Sequence, residues 1–236
     1  MCLLALMYRV VEDAPLVVGA NREEFYARGG EPPRLLDGPV RAVAGLDPAA
    51  GGTWLGLNEY GVLVAVTNRS KSRPPDRPRS RGLLARDLLG CPSATAAVEK
   101  ATRALDSDDY AGCNVVCADR ESAAVIHAAD WLRVRPLPPG IHVLANGDVN
   151  DANDLRITYA LDWLERRKYG CSQQVVTALE ELCPAMCLRH TNRGTVSSSI
   201  VAVRSPLSSG VYLHAQGPPD VTPYADYSHL LRDFSV

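Results

Sequence analysis

Apolar positions fall in short runs through the first half of the chain and at helical spacing in two stretches of the second. The runs CLLALMYRV (2–10) and LVVGAN (16–21) read as strands, separated by a turn through EDAP. TWLGLN and VLVAVTN follow, joined by EYG, where Gly61 supplies the turn of a hairpin. Next comes RSKSRPPDRPRSR, Arg69 to Arg81. Its prolines and cations forbid a packed element, so it reads as a mobile surface loop. Its positive charge fits either a solvated loop or a collar for an anionic substrate.

Two helices are expected after that loop. SRGLLARDLLG ends at Gly90, and SATAAVEKATRAL starts behind Ser93, a natural N-cap. Strand patterning resumes with CNVVCA, SAAVIHAA, WLRVRPL and, after the Pro-Pro-Gly turn at 138–140, IHVLAN. In ANDLRITYALDWLERR, Ile157, Ala160, Leu161 and Leu164 share one helical face. SQQVVTALEELC repeats that spacing through Val175, Leu179 and Leu182, and SSSIVAVRS and GVYLHAQ form a last pair of strands. Strands grouped as hairpins and helices grouped in pairs differ from the strict alternation of a doubly wound sheet. The pattern predicts an α+β layered fold of antiparallel sheets covered by helices, in a single domain over 1–236.

Composition narrows the partners. The 236 residues are 46% hydrophobic and 22% charged, with a net charge of −2. Near-neutral balance gives no electrostatic reason to bind nucleic acid. No window approaches a membrane span, and the apolar stretch after Met1 breaks at Arg9 and Glu12 without a basic leader. Seven cysteines without framework spacing suit a reducing compartment, so a cytoplasmic protein is expected.

The second residue carries the most chemistry. Removal of an initiator methionine requires a small following side chain, and Cys2 qualifies. Processing would leave a free α-amine, with an ordinary pKa of about 7.7–8.0, beside a thiol that ordinarily titrates near about 8.5. One residue would then supply nucleophile and base for acyl transfer. Arg22 stands where it would lower the thiol if the first two strands pair. The bland reading is that Cys2 is a small buried hydrophobe. Acyl transfer also needs donors for the oxyanion, and Asn68 and Asn146 each end an apolar run at a strand end. Asparagine is also common there because it tolerates turns.

The segments MC, GANREEFYAR and GGTWLGLNEYGVLVAVTNRS resemble the family named for its Asn-Arg-Asp-Glu (NRDE) motif, which includes the transport and Golgi organization protein 2 homologues. The likeness continues through SRGLLARDLL, YAGCNVVCAD, LPPGIHVLANG and RGTVSSSIVAV, so it spans essentially the whole chain. That family in turn resembles the N-terminal nucleophile hydrolases of the penicillin V acylase and bile salt hydrolase branch. The resemblance implies an αββα four-layer sandwich, with Cys2 as nucleophile and Arg22 beside the thiol. It implies Glu24 or Glu23 as the acid orienting the amine, and Asn68 and Asn146 at the oxyanion. Asn21, Glu23, Trp54 and Arg193 are expected to line the substrate site. Two positions depart from the family pattern: Glu23 replaces the motif's Asp, and Val196 stands where an arginine is expected, with Arg193 displaced. The activity implied is hydrolysis of a small acyl amide, without metal or organic cofactor. The alternative implied by eukaryotic relatives is a carrier or trafficking protein for a hydrophobic ligand such as haem, a lipid or an acyl-CoA.

Other groups carry weaker signals. Cys113 and Cys117, and Cys183 with Cys187 and His190, lack the paired spacing and fourth ligand of a zinc site. His127, His142 and His214 lie in apolar strands and read as satisfied core groups. Trp54 fits core packing or the wall of an acyl pocket. Asp148 and Asp151 are placed to cap a helix starting near 152.

Overall fold

The computed structural model describes residues 2–36, 38–107 and 109–235. The strands are β1 (Leu3–Val11), β2 (Ala14–Phe25), β3 (Glu31–Leu36), β4 (Ala42–Leu46), β5 (Leu55–Asn58), β6 (Leu63–Asn68) and β7 (Cys113–Ala118). They continue as β8 (Ala123–Ala128), β9 (Leu132–Pro136), β10 (Gly140–Leu144), β11 (Arg193–Val203), β12 (Val211–Ala215) and β13 (Ala225–Asp226). The α-helices are α1 (Arg81–Leu88), α2 (Ala94–Leu105), α3 (Leu155–Glu165) and α4 (Ser172–Ala185). These elements divide into two compact units. One is built from the two ends of the chain, up to Gly30 and from Pro138 onward; the other is Glu31–Leu137.

In the unit built from the chain ends, an antiparallel sheet runs in the order β10-β1-β2-β11-β12-β13. Odd positions of β1 (Leu3, Ala5, Met7) pack with Val17 and Ile200 beneath Ile157, Ala160 and Leu164 of α3 and Val175, Leu179 and Leu182 of α4. Each such large aliphatic contributes about 1.5–3 kcal/mol by leaving water. Even positions of β1 are equally buried, Leu4 at 3% and Leu6 at 0% exposure, so β1 reads as an unbroken apolar run rather than an alternating one. β2 runs four residues beyond the apolar stretch LVVGAN, because β11 pairs with it through its charged end, from Ser197 opposite Arg22 to Arg193 opposite Phe25. β3 and β4 fall on residues that carry no clear strand signal. Pro32 and Pro33 mask β3, yet prolines are tolerated there because β3 is an edge strand with a register shift between Glu31 and Arg34.

The cap of α3 differs from the sequence expectation. Asp154, rather than Asp148 or Asp151, accepts from the backbone amides of Arg156 and Ile157. Asp151 instead accepts from Asn153 in the turn before the helix. The helix therefore starts at Leu155, three residues later than expected.

The Glu31–Leu137 unit is a meander in the order β3-β4-β5-β6-β7-β8-β9, with α1 and α2 inserted between β6 and β7. Leu84, Ala85 and Leu88 of α1 and Ala94, Ala97 and Ala101 of α2 cover Val62, Val64, Val115, Cys117 and Ile126. Ser93 caps α2 through the Ala96 amide, as its sequence predicts. Gly61, at φ 79°, turns the β5–β6 hairpin, and Asn58 ties that hairpin to the carbonyls of Leu89 and Cys91 at 2.8 Å each. The segment 69–81 is irregular, but four of its cations bond within its own unit. Arg69 donates to Asn114, Lys71 to the Tyr110 carbonyl and Arg81 to the Gly112 carbonyl, and Arg79 pairs with Asp87.

Candidate functional site

Register decides what stands near Cys2. β1 and β2 are in step with Leu3 opposite Asn21, and one further step sets Cys2 opposite Arg22. On the other side the β1–β10 pairing ends with Leu4 opposite Leu144, and Asn146 lies in the bend two residues past the end of β10. β11 places Ser197 directly opposite Arg22. Directly opposed residues of an antiparallel sheet share a face at about 4.5–5.5 Å between Cβ atoms. Cys2, Arg22 and Ser197 thus lie in one row at the end of the sheet, on the face away from α3 and α4.

Cys2 is partly buried and stands outside the core that α3 and α4 cover. Burial pushes its thiol up; the backbone amide of Glu23, which donates to the sulfur, and the Arg22 guanidinium pull it back down. Arg22 is only 5% exposed, and its Nη1 donates to the Gly29 carbonyl. Gln216 donates to the neighbouring Gly30 carbonyl at 2.7 Å, so both glycines are braced from the same end of the sheet. The Ser197 hydroxyl is buried and makes no hydrogen bond among the described residues. Nothing in the run SSSIVAV marked Ser197 for attention; only its pairing partner does.

The remaining expected site residues are distributed as follows. Asn21 and Glu23 point to the opposite, helix-covered face. Asn21 donates to the Cys183 carbonyl at 2.8 Å, and Glu23 forms an ion pair with Arg156 of α3 at 2.6 Å. Glu24 lies on the Arg22 face, but its carboxylate accepts from the Phe25 amide and reaches Arg28 at 3.8 Å. Arg193 opens β11 opposite Phe25, three positions along β2 from Arg22, and is exposed beside a shallow hollow lined by Glu24 and His190. Val196 falls in the register shift between Thr195 and Ser197. Asn68 and Trp54 belong to the other unit: Asn68 ends β6 opposite Cys113, and the Trp54 ring lies where a Gly45 side chain would be.

The histidines sit in hydrogen-bonded surroundings. His127 Nδ1 is 2.7 Å from Asn114 Oδ1, His142 Nε2 is 2.8 Å from the Pro138 carbonyl, and His214 lies between Ser199 and Gln216 at 2.8 Å each. Burial lowers His214, so its neutral form is favoured. Among the described residues no three His, Cys, Asp or Glu side chains are grouped to hold a metal ion, and no helix is long and apolar enough to cross a membrane.

Comparison with known proteins places this geometry in context. Residues 1–191 match the family model described as Transport and Golgi organisation 2. The chain belongs to that family. The mouse Transport and Golgi organization 2 homolog is 33% identical over 226 residues, covering 80% of this chain and 82% of its own. The human homolog is 31% identical over 111 residues, 46% of this chain and 40% of its own. Solved structures similar to the chain include penicillin V acylase from Agrobacterium tumefaciens, with a TM-score of 0.61, 12% identity and coverage of 97% of this chain and 87% of that one. The N-acylethanolamine-hydrolyzing acid amidase ortholog of Caenorhabditis elegans gives 0.61, at 15% identity and 84% and 91% coverage. A conjugated bile acid hydrolase from Clostridium perfringens gives 0.60, at 13% identity and 96% and 92% coverage. The fold of the family member is therefore that of the N-terminal nucleophile hydrolases, as the sequence resemblance implied.

Proposed function

We propose that this chain is a cysteine amidohydrolase of the N-terminal nucleophile type, cleaving a small amide with an apolar acyl part. The observation that carries the reading is Cys2 beside Arg22 on one sheet face, with the Glu23 amide on the sulfur. The names of the structural neighbours, an acylase, an acid amidase and a bile acid hydrolase, support it.

Because burial keeps the thiol protonated near neutral pH, the reaction needs a base, and loss of Met1 provides one in the α-amine of Cys2. The thiol proton passes to that amine as sulfur attacks the amide carbon, and the carbonyl electron pair moves onto oxygen. In this reading Asn146 donates to the oxyanion, a contribution of about 10²–10³ in rate for one good donor. Collapse of the intermediate breaks the C–N bond, and the ammonium returns its proton to the leaving amine. Water then attacks the thioester, releasing the acid and restoring the thiol. Arg22, fixed by Gly29, favours the thiolate throughout.

The intact mass of the purified protein and turnover of a panel of acyl amides test the reading. The expected result is a mass lacking Met1 and hydrolysis that Cys2→Ala abolishes and Cys2→Ser nearly abolishes. A retained Met1, or turnover that survives Cys2→Ala, overturns it.

A carrier of a hydrophobic ligand is the second reading, favoured by an open groove of about 360 Å³ lined by Leu155, Tyr159, Met186 and Leu188. Leu155 is 83% exposed there. Under this reading haem or a fatty acyl-CoA binds equally well to the Cys2→Ala protein, and Leu155→Arg weakens binding; indifference to Leu155→Arg excludes the groove.

A further inference from the structure

The side chain that fixes the acidic end of β2 comes from neither strand beside it. Arg156, in the first turn of α3, reaches Glu23 with both terminal nitrogens, Nη2 to Oε1 at 2.6 Å and Nη1 to Oε2 at 3.3 Å. Nη2 also donates to the Met186 carbonyl at 3.1 Å, just past the end of α4. One guanidinium therefore holds β2, α3 and the α4 terminus together. Glu23 is 2% exposed in this pair, and burial pushes its carboxyl up while Arg156 holds it down. The same residue gives its backbone amide to the Cys2 sulfur.

We propose that Arg156 is a positioning residue for Cys2: by clamping the Glu23 side chain it keeps the Arg22–Glu23 peptide against the sulfur. This deepens the hydrolase reading and rests on it for its purpose, although not for its measurement. Two physical effects act in the same direction. Without the clamp the sulfur loses a fixed N–H donor that favours the thiolate. Without the guanidinium, any negative charge remaining on Glu23 acts on the sulfur through the sheet uncompensated and disfavours the thiolate further. If Glu23 instead takes up a proton, the first effect remains. The charged groups acting on the sulfur are Arg22 and Glu23 of β2 and, in the mature protein, its own α-amine; Arg156 acts only through Glu23.

The test is the pH dependence of iodoacetamide alkylation at Cys2, followed on the N-terminal peptide by mass spectrometry in the full-length protein. Arg156→Gln is expected to move the profile to higher pH and to slow labelling at pH 7 about tenfold, the loss that one pKa unit produces. Arg156→Lys keeps the charge but cannot span both carboxylate oxygens, so it is expected to fall between, about threefold slower. A folded Arg156→Gln protein whose profile superimposes on that of the unmodified chain overturns the proposal. Should Arg156→Gln fail to fold, Arg156→Lys decides alone, and an unchanged profile is again fatal. Alkylation needs no substrate, so absence of amide turnover in every protein would remove the hydrolase reading while leaving this result standing.

Discussion

Asn21 Nδ2 donates to the Cys183 carbonyl at 2.8 Å, joining β2 to the last turn of α4 across 162 positions of chain. That carbonyl also accepts from the Met186 amide and, at 3.7 Å, from the Cys187 thiol, so it ends the helix with three donors. Asn21 is 1% exposed, and its Oδ1 makes no hydrogen bond among the described residues. Asn21→Ala is expected to lower stability by about 1–2 kcal/mol, as a buried polar bridge is lost. Urea unfolding checks the value; a loss below a few tenths of a kcal/mol means the bridge does not hold α4. Alkylation of Cys2 in the same variant should keep its pH profile, because Asn21 faces away from the sulfur.

The same helix fixes a second side chain by its absence. A Cβ on Gly19 would lie 2.9 Å from Leu179 Cδ2 and 3.2 Å from Cys183 Sγ. Gly19→Ala therefore forces α4 off β2, at a cost of about 1–3 kcal/mol typical of overpacking. Thermal unfolding should show a lowered midpoint, and Gly19→Ser should be worse because it also buries a hydroxyl. An alanine variant as stable as the parent would show that α4 rides further from the sheet than these contacts require.

Features written in local pattern were legible before any coordinates. Ser93 ahead of an amphipathic run, Gly61 between two apolar strands, and Leu179 at helical spacing are set by backbone geometry and burial that a few residues determine. Cys2 and Arg22 were each singled out, and one step past the β1–β2 ladder sets them opposite each other. Ser197 and Arg156 were not legible, since a serine within a serine run and an arginine in a first helical turn carry no local signal. Their roles depend on which strand or carboxylate lies opposite, a long-range matter. The cap of α3 was misplaced for a related reason. Five acidic or amide residues lie between positions 148 and 154, and only the turn closed by Asp151 and Asn153 selects Asp154 among them.

Thiol reactivity should separate the cysteines by depth. Burial raises Cys113 and Cys183 to about 11 and Cys117 higher still, while Cys2, Cys171 and Cys187 are partly exposed. A thiol is nucleophilic only as thiolate, so at pH 8 the deep groups are both inaccessible and protonated. Native protein is expected to label at Cys2, Cys171 and Cys187, with Cys91, Cys113, Cys117 and Cys183 reacting only after denaturation. Peptide mapping after a timed pulse checks this, and fast native labelling of Cys117 would contradict the burial of β7.

Acid should weaken the start of α4 through a single carboxylate. Asp13, in the β1–β2 turn, accepts from the Ser172 amide at 2.8 Å and from the Ser172 hydroxyl at 2.5 Å, capping the helix from a distant part of the chain. Those bonds hold its carboxyl below the usual range, with Arg204 adding to the effect. A depressed folded-state pKa means the contribution is present above the unfolded value, about 3.9, and is lost as pH falls through the folded one. Asp13→Ala is expected to cost about 1 kcal/mol at pH 7, the ordinary worth of an N-cap. The gap between the two proteins should close progressively below about pH 4, because the parent then loses what the variant already lacks. Urea midpoints measured from pH 7 down to pH 3 decide the matter, and a gap that stays constant across that range shows that Asp13 holds α4 by shape rather than by charge.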